Sequence, residues 1–195
     1  MAAPDDPDLS PAEPHDGAAP VDVRPMTVSD VDAALAMFTS VAEEGLWLGS
    51  EGGFDPAERR TSWLANLSDP TRRSYVATRA GAVVGNASIH LASYGVADIS
   101  MAVAAGSRGG GVGRQLLHAL IGAARELGAH KVSLQVWTHN ARAIALYRSE
   151  GFVEEGRLTR HYRRRNGELW DALIMGFPLD ETSPGSPHGD TPLIS

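Results

Sequence analysis

Five glycines fall in the eight residues from Gly106 to Gly113, and the apolar pattern changes period across them. Upstream, Val96–Val103 has the length and bounding residues of a strand. Downstream, Val112, Leu116, Leu117, Leu120, Ile121, Ala124 and Leu127 keep helical spacing, and Gly128 stands where it stops the helix. A strand that enters a helix through glycines leaves backbone N–H groups bare at the positive end of the helix dipole, which suits a pyrophosphate. Two phosphate-binding patterns fail here. A Walker loop needs Gly-Lys-Ser/Thr where this chain has Gly111-Val112-Gly113, and a dinucleotide fingerprint needs a third glycine where it has Leu116.

The elements around this turn read in order. A short strand is expected over residues 21–26 and a helix over 29–44, with Ser29 as its cap and Asp32 three residues on. A second helix is expected over 55–66, followed by an antiparallel meander of strands at 75–79, 83–91 and 96–103. After the long helix come a strand at Lys131–Trp137 and a helix over 141–150 capped by Asn140 and ended by Gly151. Strands at 152–165 and 169–177 flank Asn166-Gly167, a hairpin signal in which both turn positions want positive φ.

Composition narrows the function. The 195 residues include no Cys, which excludes a disulfide framework, a thiolate metal site and a Cys nucleophile. Residues 1–20 and 181–195 carry seven of the 24 acids and no Lys or Arg, and they lack an apolar period. Both read as disordered acidic tails around one domain at 21–179. The remainder of the −7 charge is balanced, 17 acids against 17 bases, so no nucleic-acid or anionic-membrane partner is expected. No run approaches the ~18 apolar residues of a membrane span, and the acidic start is the reverse of a signal peptide, so a cytoplasmic protein is expected.

With Arg108-Gly109-Gly110-Gly111-Val112-Gly113 the chain resembles the GNAT superfamily of acetyl-CoA-dependent N-acetyltransferases, whose turn reads Arg/Gln-x-x-Gly-x-Gly/Ala. A second block, Asn140-Ala-Arg-Ala-Ile-Ala-Leu-Tyr147 followed by Gly151-Phe152, resembles the family's next strand-to-helix segment at the expected distance. The resemblance covers about residues 23–178. Within it, residues 156–176 resemble the terminal hairpin of bacterial enzymes that acetylate amino acids, small amines or protein N-termini.

The resemblance implies an α/β fold: a mixed, mostly antiparallel sheet of about seven strands with about four helices, its fourth and fifth strands parallel and splayed. It implies that pantetheine lies in that notch against the backbone edge after Met101, and that pyrophosphate sits on N–H groups of Arg108, Gly109, Gly110, Gly111, Val112, Gly113 and Arg114. Asn140 would hold the cofactor arm. An alkylamine with a pKa of ~10 must lose a proton before it attacks. Asp98 is the candidate base, five residues before Val103 where many members carry Glu, and its shorter side chain favours a water relay. An N–H near Val103 would support the oxyanion, and Tyr147 would protonate the leaving thiolate. Glu43, Glu44 and Trp47 lie in the loop that borders the family's acceptor site.

The expected function is transfer of acetyl from acetyl-CoA to the primary amine of a small molecule, direct in a ternary complex because no Cys carries an intermediate. Acetylation of a protein N-terminus or lysine is the alternative within enzymes. A non-catalytic acyl-CoA-binding regulatory module is the alternative of another class, and retention of Tyr147 and Asp98 speaks against it. The histidines show no metal spacing, so no metal is expected. The arginines from Arg157 to Arg165 read as a solvated face paired with Glu154, Glu155 and Glu168. The edge of the last hairpin is a place where a second copy can pair.

Overall fold

The computed structural model describes residues 19–179. The expectation for the tails lies outside them, except at residues 19 and 20, which are exposed and in no regular element. Strands β1 (Val21–Pro25), β2 (Arg72–Arg79), β3 (Ala82–Leu91), β4 (Val96–Val103), β5 (Lys131–Trp137), β6 (Val153–Arg163) and β7 (Leu169–Pro178) form one sheet in the order β1-β2-β3-β4-β5-β7-β6. Every pairing is antiparallel except β4 with β5. The helices are α1 (Val31–Glu43), α2 (Pro56–Asn66), α3 (Val112–Glu126) and α4 (Ala141–Ser149).

Strand alternation sorts the core onto two faces. In β2, Val76 packs with Val31 and Ala34 of α1, whereas its neighbour Ala77 joins the cluster built around α3; both are fully buried. The apolar stripe expected of α3 is the one that is buried: Val112, Leu116, Leu117, Leu120 and Ala124 are each 0–1% exposed. At about 1.5–3 kcal/mol for each large apolar side chain removed from water, this stripe fixes the helix to the sheet and so fixes where its N-terminus points.

Two local expectations are corrected. Ser29 does not cap the first helix: a single 3₁₀ turn at Val28–Asp30, with Thr27 at its N-cap, precedes α1, whose own N-cap is Asp30, and Asp30 accepts from the Thr27 N–H (2.8 Å) and hydroxyl (2.7 Å). Asp32, the expected partner of Ser29, is held by Arg60 of α2 instead (2.6 Å). The final hairpin turns through three residues, 165–167, with Gly167 N–H donating to Arg164 O (2.9 Å) and Arg164 N–H to Glu168 O (2.8 Å). Only Gly167 there has positive φ (+87°), because Asn166 Oδ1 accepts from the Glu168 N–H (3.0 Å) and settles that residue without a left-handed backbone. Strand β6 is the free edge that was expected. It carries two register shifts and Arg160 at φ +50°, features that discourage pairing.

Candidate active site

Strands β4 and β5 pair only over Val96↔Lys131, Ala97↔Val132 and Asp98↔Ser133, then part. Each stays bound on its other side, β4 to β3 and β5 to β7, so the gap cannot close by sliding. Along β3 and β4 the Ala104 N–H donates to Val84 O (2.9 Å) with no register shift. The alternation of an antiparallel ladder then turns the backbone groups of Met101 and Val103 away from β3 and into the gap. A cavity of about 710 Å³ opens there, walled by residues 99–103 on one side and 134–137 on the other.

The glycine turn stands at one end of this cavity. Arg108 N–H is used, donating to Ala105 O (3.3 Å), and Gln115 N–H donates to Gly111 O (3.1 Å). Between them the N–H groups of Gly109, Gly110, Gly111, Val112, Gly113 and Arg114 have no partner among the described residues. Gly111 caps α3 at φ +80°, where a side chain is strained, and the space beside it is open. At Gly110 an added Cβ would lie 3.1 Å from Arg79 Nη2. The Nε of that guanidinium is buried without a partner. A row of bare donors with a cation beneath it fits a diphosphate. Arg79 is a residue that the sequence reading missed, for it comes from the far end of β2.

Asn140 caps α4 by accepting from Ala143 N–H (3.1 Å) and lines the same cavity. Tyr147, two turns on, is 9% exposed; its ring packs on Phe152 (centroids 5.6 Å apart) in the α3 core. Its hydroxyl makes no hydrogen bond to a described residue and the side chain reaches the cavity wall. Burial pushes this phenol up to about 12, so it keeps its proton.

The loop after α1 is tied to the glycine turn. Arg108 grips both oxygens of Glu44 (2.6 and 2.8 Å), its Nε donates to Val103 O (3.1 Å), and Trp47 Nε1 donates to Glu44 (2.6 Å). Burial alone would raise the Glu44 carboxyl, but the Arg108 and Trp47 donors outweigh it and hold it below the ordinary range. Trp47 and Arg108 line the cavity, whereas Glu44 supports them from behind. Glu43 is exposed and lines neither of the two cavities described here.

Asp98 is exposed and lines neither of the two cavities described here. It shares the α1 face of β4 with Ser100 and Ala102, opposite His90, Ser88 and Asn86 of β3. The Ser88 and Ser100 hydroxyls are in contact at 2.9 Å. This polar row leads from Asp98 to a second cavity of about 680 Å³ on that face, bordered by α2, which shares Leu48, Gly49, Ser100, Met101 and Ala102 with the first.

Tyr162 and Trp137 also line this cavity, and neither was anticipated. Tyr162 donates its hydroxyl to Gln135 Oε1 and stands edge-on to Trp137 (5.1 Å). Arg164, only 4% exposed, lies over Trp170 (4.3 Å) and Trp137 (5.2 Å) and donates to the carbonyls of Gly45, Leu48 and Gly49. It also pairs with Glu51 (2.9 Å), and Arg157 pairs with Asp171 (2.6 Å). The expected partners are engaged elsewhere, Glu154 with Arg148, Glu155 with Lys131 and Glu168 with Trp170. Arg164 is held inward by partners more than a hundred residues earlier in the chain, a tertiary arrangement rather than a local one. Among the described residues no cluster of His, Cys, Asp or Glu is placed to hold a metal, and no helix is long and apolar enough to cross a membrane.

The comparisons with known proteins agree with this geometry. The model of the Acetyltransferase (GNAT) family matches residues 39–152, more than half of the chain. The chain is 30% identical over 166 residues to an L-methionine sulfoximine/L-methionine sulfone acetyltransferase of Pseudomonas aeruginosa, covering 82% of this chain and 95% of that one. A ribosomal-protein-alanine N-acetyltransferase from Brucella melitensis superposes with a TM-score of 0.74 at 36% identity, over 81% of this chain and 99% of the other. A phosphinothricin acetyltransferase from Sinorhizobium meliloti, solved in complex with AcCoA, shares the fold at a TM-score of 0.74 and 22% identity, over 86% of this chain and 92% of that one. The splayed parallel strands, the bare glycine turn and these likenesses together place the chain in the GNAT acetyltransferase family, as an acyltransferase.

Proposed function

We propose that the protein moves the acetyl group of acetyl-CoA directly onto the primary amine of a small molecule. The observation that carries this reading is the unbroken row of unpartnered N–H groups at residues 109–114, opening onto the β4 edge where Met101 and Val103 face the gap. In the reading, that row holds the pyrophosphate, Arg79 adds charge beneath it, and the Met101 edge and Asn140 hold the pantetheine arm. When bound, acetyl-CoA supplies an activated acyl group.

The chain's residues then manage two protons and one developing charge. The amine nitrogen bonds to the acyl carbon, the carbon–sulfur bond breaks, one proton leaves the nitrogen and one joins the sulfur. Asp98 receives the first through water and the Ser100–Ser88 hydroxyl pair; along the strand it stands two residues, about 7 Å, from Ser100. The Val103 N–H supports the acyl oxygen as charge builds on it. Tyr147 gives the second proton, and its raised pKa keeps that proton available. With no Cys in the chain, an acetyl group is not parked on a thiol.

The test is thiol release from acetyl-CoA over a panel of amino acids, polyamines, aminoglycosides and N-terminal peptides. Amine-dependent release with at least one free amine is expected. Robust acetylation of peptide or protein N-termini with no free amine accepted would reverse the order in favour of the reading that the likeness to ribosomal-protein-alanine acetyltransferases supports.

A further inference from the structure

We infer that the second cavity, on the α1/α2 face, is the chamber for the acceptor, and that it selects amines that also carry a carboxylate, with Arg59 as the partner of that carboxylate. The inference rests on the acetyl-transfer reading and deepens it. The chamber, about 680 Å³, meets the β4–β5 gap along Ser100, Met101 and Ala102, so an amine at its floor faces the strand edge from the side opposite α3.

Three of its groups carry the argument. Arg59, part-buried in the wall, has its guanidinium over Phe54 (4.3 Å) and Phe38 (5.1 Å), and that side chain makes no ion pair or hydrogen bond with a described residue. Its neighbour Arg60 is already held by Asp32, and Asp55 is committed to capping α2, accepting from Ala57 N–H (2.8 Å). Stacking on rings occupies the faces of a guanidinium and leaves its edge, the part that meets a carboxylate with two N–H donors, for a ligand. At the floor, Asn86 is 8% exposed with Oδ1 lacking any partner, an unsatisfied amide beside the Ser88–Ser100 pair. A cation on one wall and, at the floor, one unpartnered amide oxygen beside a hydroxyl pair complement a molecule with an anion at one end and an amine at the other. Phe38, Phe54 and Trp63 leave its apolar part in contact with rings. Glu58, exposed on the rim, is the group that a polyamine would use instead.

The experiment compares L-methionine, L-phenylalanine and L-glutamate with their amides and with the corresponding decarboxylated amines, on wild type, Arg59→Gln, Arg59→Lys and Glu58→Gln. Acetylation kinetics are paired with the rise in melting temperature that each compound causes in the CoA-bound protein, which reads the chamber without turnover. The expected result is that at least one amino acid stabilises the wild type and is acetylated. Arg59→Gln should raise its KM roughly ten- to a hundredfold with little change in kcat or in CoA binding, Arg59→Lys should recover part of that loss, and the amide should be indifferent to residue 59. The inference is overturned if amines without a carboxylate are accepted equally well, if they depend on Glu58 and not on Arg59, or if none of the amino acids binds. Each of these leaves acetyl transfer itself standing wherever any amine is acetylated, whereas thiol release with no amine at all would remove the reading beneath it.

Discussion

Arg108 and Glu44 lie 64 residues apart in the chain and close a two-pronged ion pair, 2.6 and 2.8 Å, that fastens the loop carrying Trp47 to the end of β4. Both side chains are shielded, at 15% and 27% exposure. Arg108 is therefore a support of the cavity wall, and its guanidinium is spent on Glu44 rather than on a phosphate.

Glu44→Gln should lower stability by about 1–3 kcal/mol, since Arg108 would keep a partly buried charge with a neutral partner. The effect depends on pH. A carboxyl whose pKa is depressed in the folded state contributes stability above its unfolded value of ~4.3 and loses it as pH falls through the lower folded value. The wild type should thus lose stability more steeply than the variant below about pH 4.3, measured by urea unfolding across pH. Parallel curves would contradict the assignment.

Gly111 tests the anion seat. CoA and acetyl-CoA should raise the melting temperature, and NAD and ATP should do so much less. Gly111→Ala costs about 1–2 kcal/mol of backbone strain at φ +80°, with room for the methyl group. Gly111→Glu adds a negative charge at the bare N–H row and should abolish the CoA-dependent shift. A shift retained in the Glu variant would place the pyrophosphate elsewhere.

How far these features were legible follows from how local their causes are. The bounds of β4 and β5 and the buried stripe of α3 follow from alternation and helical period within a few residues. The glycine turn is equally local. Asp30 stands where Ser29 was expected as the cap of α1, held by Arg24 across a turn, and Asn166 escapes positive φ through its own side-chain bond. The chamber was invisible because Phe38, Arg59, Asn86 and Ser100 come from four elements that meet only once the sheet and its covering helices are assembled.

Tyr147→Phe keeps the ring on Phe152 and removes only the hydroxyl. A fall in kcat of roughly 10–10³-fold is expected, with melting temperature and acetyl-CoA affinity nearly unchanged. Because burial pushes the phenol to about 12, the wild-type profile should show no loss of activity assignable to this group below about pH 10, and the Phe profile should keep its shape there. Normal turnover in the Phe variant, with Tyr147→Ala merely unfolding, would leave the residue a core aromatic.

Asp98→Asn should lower kcat/KM by ~10²–10⁴ while acetyl-CoA binding persists. If the proton travels along the hydroxyl pair, Ser100→Ala should reproduce part of that loss. Wild-type turnover in both variants would assign the polar row to structure.

Direct transfer is read most plainly by mass spectrometry of the protein and its products after mixing with acetyl-CoA, with and without an accepted amine. The account predicts unmodified protein in both cases, no thiol release without amine, and one N-acetyl product for each thiol released with it. Acetylated protein that forms without amine and is discharged when amine is added, or thiol released with no acetylated amine, would contradict it.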